Sequence, residues 1–500
     1  MILHTDTIYG AVSGIESGTE GVAVYKGIPY AAPPVNDLRW KAPQPPAPWE
    51  GVRRCDHFGN ACIQPLRAGG GFYEREFYRH DFHAYPPPWG EDCLYLNIWT
   101  PAAEKDERLP VMVWIHGGGF TQGYSHEPRS DGETLAKNGV LVVSINYRLS
   151  IFGFFGSEEL EKESGFCGNY AILDQIAALR WVKDNIAGFG GDPDNVTVFG
   201  QSAGAISVQA ITASPLSKGL VRRAICQSGA GLTVPEMRFG VDFLKRQGEE
   251  FRKAVGASDL KQLRSIPEKQ LMEMTIQHGY ANMMAFPLIA DGYVLPIDKG
   301  LAFKQGDCLD IEYLIGSTID ESRIFPDYPK GEITRENFHE KMQGWYRMLG
   351  ESCDPADDDD ALRLANKRGG IQWFAEHRSL ACMLAQNGSK PVYAYVFNRE
   401  PPGEDHPGVF HSACIWYAFG TLKNCWRTFE DGDRRLSETM VKYWTNFAKT
   451  GDPNGPGLPV WSPFKNEDRL EMKLDFECGM HDFTEECPEV MTLTERLLKI

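Results

Sequence analysis

The chain is 500 residues long and 42% hydrophobic, enough apolar content to bury a large core. Its 51 Lys and Arg face 68 Asp and Glu, a formal net charge of −17, so a polyanion is repelled and nucleic-acid binding is set aside. The opening residues MILHTDTIYGAVSG form neither a basic nor an apolar leader, and no run approaches the roughly 18 uninterrupted apolar residues of a spanning helix. A soluble, cytoplasmic protein without a membrane span is expected.

In chain order, short β-prone runs occur at 111–115 (VMVWI), 140–147 (VLVVSINY), 196–199 (VTVF), 223–229 (RAICQSG), 312–317 (EYLIGS) and 392–397 (VYAYVF). Several are apolar at consecutive positions, the pattern of strands covered on both faces of a mostly parallel sheet. Between the second and third, Ile172, Ile176, Leu179, Val182 and Ile186 recur every three or four residues and predict an amphipathic helix. The alternation predicts an α/β architecture with a central, mostly parallel sheet. Two stretches interrupt it, about 232–305 and 326–388, and are expected to form helical capping insertions over the strand ends. The acidic run Asp357 to Asp360 in the second reads as a solvated loop, not a metal site. Twelve cysteines are scattered without a CxxC pair, so no zinc knuckle or small disulfide scaffold is indicated and they read mostly as reduced core residues.

GQSAG, residues 200–204, follows the third run and precedes the helix-compatible AGAISVQAI. A serine at a tight strand-to-helix turn has its hydroxyl lifted clear of the backbone, and the helix N-terminus beside it favours an anion. Ser202 is therefore the candidate nucleophile. WIHGGGF, 114–120, ends the first run; its glycines let N–H groups converge, so Gly118 and Gly119 with the N–H of Ala203 form the expected oxyanion hole. His116 reads as orienting that loop. In this kind of fold an acid and then a histidine follow the serine. Of the histidines after residue 321, His339, His377, His406, His411 and His481, the best placed is His411, in a loop after the last buried run; His406 lies in a polar turn. Asp320 and Glu321, just past EYLIGS, are both chemically adequate as the acid.

VYKGIPYAAPPVNDLRWKAPQPPAPW, EDCLYLNIWTP, WIHGGGF, NYRLSIFGFF, the long segment through GQSAGA, AICQSG and YWTNFAKTGDPN together resemble the type B carboxylesterases. This family of α/β-hydrolases includes para-nitrobenzyl esterases, liver carboxylesterases and cholinesterases. The resemblance runs nearly end to end. It implies a single α/β-hydrolase catalytic domain over 1–500, selects Glu321 as the acid, and implies a serine esterase that acts on a small-molecule ester with neither metal nor organic cofactor. It matches Cys62 and Cys93 to a pair bridged in many secreted members, whereas the family's capping disulfide has no cysteine pair here, which fits a reducing compartment.

Three departures stand out. Ser322 replaces a glycine, Cys414 stands where a glutamate is common, and Gln201 replaces the glutamate that often precedes the nucleophile. The neutral amide of Gln201 disfavours a cationic choline ester. Phe120 and Phe286 are candidate acyl-pocket walls, Tyr73, Phe77 and Tyr78 could line a pocket mouth, and Ser228 is a candidate support for the acid or the histidine. A binding module on an inactive scaffold would be expected to lose the serine, the histidine or the glycine run, and all three are present.

Overall fold

The computed structural model describes residues 1–65, 87–229, 232, 239–324, 327–343 and 354–499. Its main sheet has eleven strands, numbered here in chain order. They are β1 (Ile15–Glu16), β2 (Ala23–Pro29), β3 (Tyr95–Thr100), β4 (Leu109–Ile115), β5 (Leu141–Ile145) and β6 (Gly191–Gln201). There follow β7 (Arg223–Gln227), β8 (Glu312–Thr318), β9 (Val392–Phe397), β10 (Glu471–Leu474) and β11 (Gly479–His481).

The spatial order is β11-β10-β9-β8-β7-β6-β4-β5-β3-β2-β1. From β5 through β4 and on to β10 every pairing is parallel, and antiparallel strands close both edges. The six β-prone runs all lie in this parallel part. β5, β7, β8 and β9 are buried at every position, which explains why their sequences do not alternate.

The helices that concern the site are α1 (Tyr170–Asn185), α2 (Ala203–Ala213), α3 (Val241–Ala254), α4 (Asp358–Asn387) and α5 (Ile415–Phe419). Helix α1 is the one predicted from the three-to-four spacing, and α2 starts at the residue after Ser202. Among the described residues no helix is long and apolar enough to cross a membrane.

The acidic run differs from the expectation of a loop. Asp357 is the N-cap of α4, its carboxylate accepting from the N–H of Asp360, and Asp358, Asp359 and Asp360 form the first turn. Carboxylates are favoured there because they meet the unsatisfied N–H groups and the positive end of the helix dipole. Helix α4 is also the crossover from β8 to β9. Its C-terminal Leu380, Ala381, Met383 and Leu384 join the same apolar cluster as Ile315 of β8 and Ala394 of β9. Cys62 and Cys93 are free thiols buried side by side; burial, with Cys62 beside it, pushes the Cys93 thiol well up.

Candidate active site

Parallel strands bring their carboxyl ends to one edge of the sheet, and four of them deliver the site. Register aligns Gly200 of β6 with Ile115 of β4, and Gln201 with Gln227 of β7. The chain then turns sharply into α2. Ser202 sits in that turn with φ 58° and ψ −126°, a strained conformation for a residue with a side chain, and its N–H donates to the carbonyl of Gln227 at 2.9 Å. The turn closes only because position 204 lacks a side chain: a Cβ on Gly204 would run into the carbonyl of Ile115.

The glycine loop follows β4. Gly118 has φ +109°, and a Cβ there would collide with the carbonyl of Gln122, so the loop folds back on itself only with glycine. The Gly118 carbonyl accepts from the N–H groups of Thr121 and Gln122 at 3.1 and 3.0 Å, so its C=O is turned into the loop. The N–H groups of Gly118, Gly119 and Ala203 make no hydrogen bond among the described residues.

His116 is buried, stacks on Tyr147 at 4.4 Å and places Nδ1 2.8 Å from the Gly117 carbonyl, while the Tyr147 hydroxyl donates to the His116 carbonyl at 2.7 Å. Burial lowers the His116 pKa to about 4. A neutral, doubly tethered imidazole fixes the loop without exchanging protons at neutral pH.

The acid stands just past β8. Glu321 opens a short 3-10 turn, Glu321–Ile324, and is 1% exposed. One of its oxygens accepts from the N–H of Thr318 at 2.8 Å and the other meets Nδ1 of His411 in a very short contact. Asp320 points elsewhere, to Nε of Arg323 at 3.0 Å. Of the two carboxylates between which residue type could not choose, Glu321 is the one that faces His411. His411 lies after β9, at the mouth of α5, and is 5% exposed, whereas His406 is exposed on the surface.

Nε2 of His411 lies 3.0 Å from Nε2 of Gln201. An amide nitrogen only donates, so the imidazole nitrogen accepts. The ring proton is then on Nδ1, toward Glu321, and Nε2 is the acceptor, beside the residue that precedes Ser202.

The remaining expected residues are placed as follows. Phe120 borders the glycine loop, 5% exposed, its ring edge-on to Phe154 at 4.9 Å. Phe286 is 3% exposed among Phe155, Phe251 and Tyr280, in an aromatic cluster beneath α3. Ser228, at the end of β7 with φ +52°, is buried, and its hydroxyl has no hydrogen-bond partner among the described residues. Among the described residues it therefore bonds neither Glu321 nor His411. Tyr73, Phe77 and Tyr78 lie outside the described residues.

One neighbour, Trp373, was missed by the sequence reading, and Ser322, noted only as a departure, makes a contact the sequence did not announce. The half-buried Trp373 of α4 sets its ring edge-on to His411 with centroids 4.1 Å apart. Ser322 accepts from the Gly370 N–H of α4 at 2.8 Å and so ties the acid's turn to the helix. Cys414 accepts from the Gln227 amide at 3.7 Å; burial, and then the charge of Glu321, push its thiol up to about 12, so it stays protonated.

A buried carboxylate and imidazole in contact, with a serine in a strained strand-to-helix turn and a glycine loop after the neighbouring strand, define a serine hydrolase built on an α/β-hydrolase sheet. The profile of the Carboxylesterase family matches residues 2–488, and the chain belongs to that family. It is 34% identical to para-nitrobenzyl esterase of Bacillus subtilis (strain 168) over 488 residues, 94% of each chain. It is also 34% identical to carboxylesterase 1C of Rattus norvegicus over 496 residues, 93% of this chain and 88% of that one. A solved PNB esterase superposes with a TM-score of 0.84 at 31% identity, covering 99% of both chains. The protein is a serine carboxylesterase, a carboxylic ester hydrolase.

Proposed function

We propose that Ser202, His411 and Glu321 are the catalytic triad of this esterase, with Gly118, Gly119 and Ala203 as the oxyanion hole, acting on neutral small-molecule carboxylic esters. The observation that carries this reading is the contact of His411 Nδ1 with the buried carboxylate of Glu321, which accepts only and so leaves Nε2, beside the residue that precedes Ser202, as the acceptor of the neutral ring. In that form the imidazole takes the proton of Ser202 as its oxygen adds to the ester carbonyl. The three unspent N–H groups receive the charge that develops on the carbonyl oxygen, each worth about 3 kcal/mol of transition-state stabilisation. Imidazolium then returns the proton to the departing alcohol, leaving an acyl-Ser202. Water, deprotonated by the same nitrogen, releases the carboxylic acid and restores the serine.

Phe120, next to the donor loop, is the nearer candidate for an acyl-pocket wall. The two insertions belong to the same catalytic unit in this reading, since Phe251 of α3 and Leu380 of α4 share an apolar cluster with sheet residues such as Ile315. The test is hydrolysis of para-nitrophenyl acetate and butyrate by the wild type and Ser202→Ala, with folding of both checked by circular dichroism. A loss of several orders of magnitude in the variant supports the assignment. Equal turnover by both would assign the nucleophile elsewhere.

A further inference from the structure

Gln201 is 1% exposed and lies one residue before the proposed nucleophile, at the end of β6. Its Nε2 lies 3.0 Å from Nε2 of His411, the ring nitrogen opposite the one that meets Glu321. We propose that Gln201 is a positioning residue for His411, its amide N–H donating to Nε2 so that the resting imidazole is held from both sides and unprotonated, a bond that gives way when Nε2 accepts the proton of Ser202. The inference rests on His411 being the general base.

The groups around the ring define what the amide contributes. Glu321, from the turn after β8, faces Nδ1 and favours the imidazolium. Trp373, from α4, presents an uncharged ring. Cys414, on the histidine's own loop, and Tyr395, from β9, lie near Glu321 and are protonated at neutral pH, burial being the main cause in both. Asp320 and Arg323 pair with each other at 3.0 Å. Gln201 is thus a polar group at Nε2, and it opposes Glu321. A donor to the lone pair stabilises the neutral ring and has nothing to offer the imidazolium's N–H unless the amide rotates.

A glutamate in the same place reverses the sign. Its carboxylate accepts only, so it bonds the imidazolium and holds the proton on the base. The chain's departure from the common glutamate therefore keeps the base available at lower pH, in addition to removing a charge that attracts cations.

The experiment is the pH dependence of kcat/KM for para-nitrophenyl butyrate with the wild type, Gln201→Glu and Gln201→Met, beside Ser202→Ala and His411→Ala. Gln201→Met keeps the length without the donor and guards against a folding failure in Gln201→Glu. The expected result is an acid limb displaced upward by about one pH unit or more in Gln201→Glu, and by a few tenths in Gln201→Met, with activity recovering on the alkaline side. Acid limbs that coincide with the wild type in both folded variants would overturn the role of Gln201 while leaving the triad in place. Full activity in Ser202→Ala or His411→Ala would overturn the triad itself.

Discussion

Trp373, on the crossover helix α4, meets His411 edge to face, the planes inclined at 75°. The contact restrains the ring proposed to move protons between Ser202 and the departing alcohol. Aromatic pairs of this geometry are worth about 0.5 to 1.5 kcal/mol beyond their area. If that restraint acts on the base, Trp373→Ala lowers kcat/KM for para-nitrophenyl butyrate by about 2- to 12-fold, since each 1.36 kcal/mol is tenfold. Trp373→Phe restores most of the loss. A Trp373→Ala enzyme as active as the wild type would show that the indole merely fills space.

Glu321→Gln tests the tautomer directly. The replacement keeps shape and the bond from the Thr318 N–H, but an amide nitrogen turned toward Nδ1 would drive the ring proton to Nε2, where it blocks the base. A fall in kcat on the order of 10⁴ is expected, with KM little changed. Single-turnover release of para-nitrophenol checks it, because the defect lies in formation of the acyl-enzyme. A drop of less than about tenfold would mean that the carboxylate is structural.

Much of this site was legible before any coordinates. Consecutive apolar positions mark β4 to β9 because both faces are covered, and the glycines around residues 118 and 202 mark turns that backbone sterics impose. What stayed hidden is contact across the chain. Trp373 lies 38 positions before His411 in a segment that reads only as helix, and nothing local announces that its edge meets an imidazole. The bond from Gln201 to His411 spans 210 positions, so a residue read as a charge-selecting pocket group is found on the base. The acidic run was misjudged for a local reason: four aspartates have poor helix propensity in an interior, yet as N-cap and first turn they are the favoured start.

A second serine, histidine and glutamate chain lies in the core. Ser317 of β8 is 2.9 Å from Nδ1 of His377, whose Nε2 is 2.9 Å from Glu471, and Arg378 donates to the same carboxylate. All four are buried, and Ser317 has no exposed surface, so the chain clamps α4 to β8 and β10 and does no chemistry on a substrate. Burial pushes the Glu471 carboxyl up, but His377 and Arg378 outweigh it and hold it below the usual range. A depressed carboxylate stabilises above its unfolded pKa, and the contribution is lost as pH falls through the folded one. Glu471→Gln leaves a buried guanidinium without its counter-charge and is expected to cost about 3 to 5 kcal/mol. Urea unfolding at pH 7 measures the loss; a cost under about 1 kcal/mol would show that the cluster is replaceable.

His116 and His126 give the fold an acid liability of opposite origin. His126 is half-buried, stacked on Phe58 at 4.3 Å and tilted against Tyr124 at 4.7 Å. Burial lowers its pKa from 6.5 to about 3, with the neighbouring His116 adding to the effect, and burial lowers His116 from 6.5 to about 4. The unfolded chain accepts protons on both as pH drops below 6.5, and the folded chain does not until about 4. Their contribution is therefore complete above pH 6.5 and falls through the window below it, by about 1.4 kcal/mol per pH unit for each histidine. Replacing His126 with phenylalanine keeps an aromatic ring against Phe58 and removes one titrating group. The difference in unfolding free energy between variant and wild type, from urea titrations at pH 7.5, 6 and 5, isolates that group from every carboxylate that titrates in the same range. The variant is expected to gain about 1.4 kcal/mol relative to the wild type between pH 6 and pH 5. A difference that stays constant across the three pH values would mean that His126 takes up its proton in the folded state.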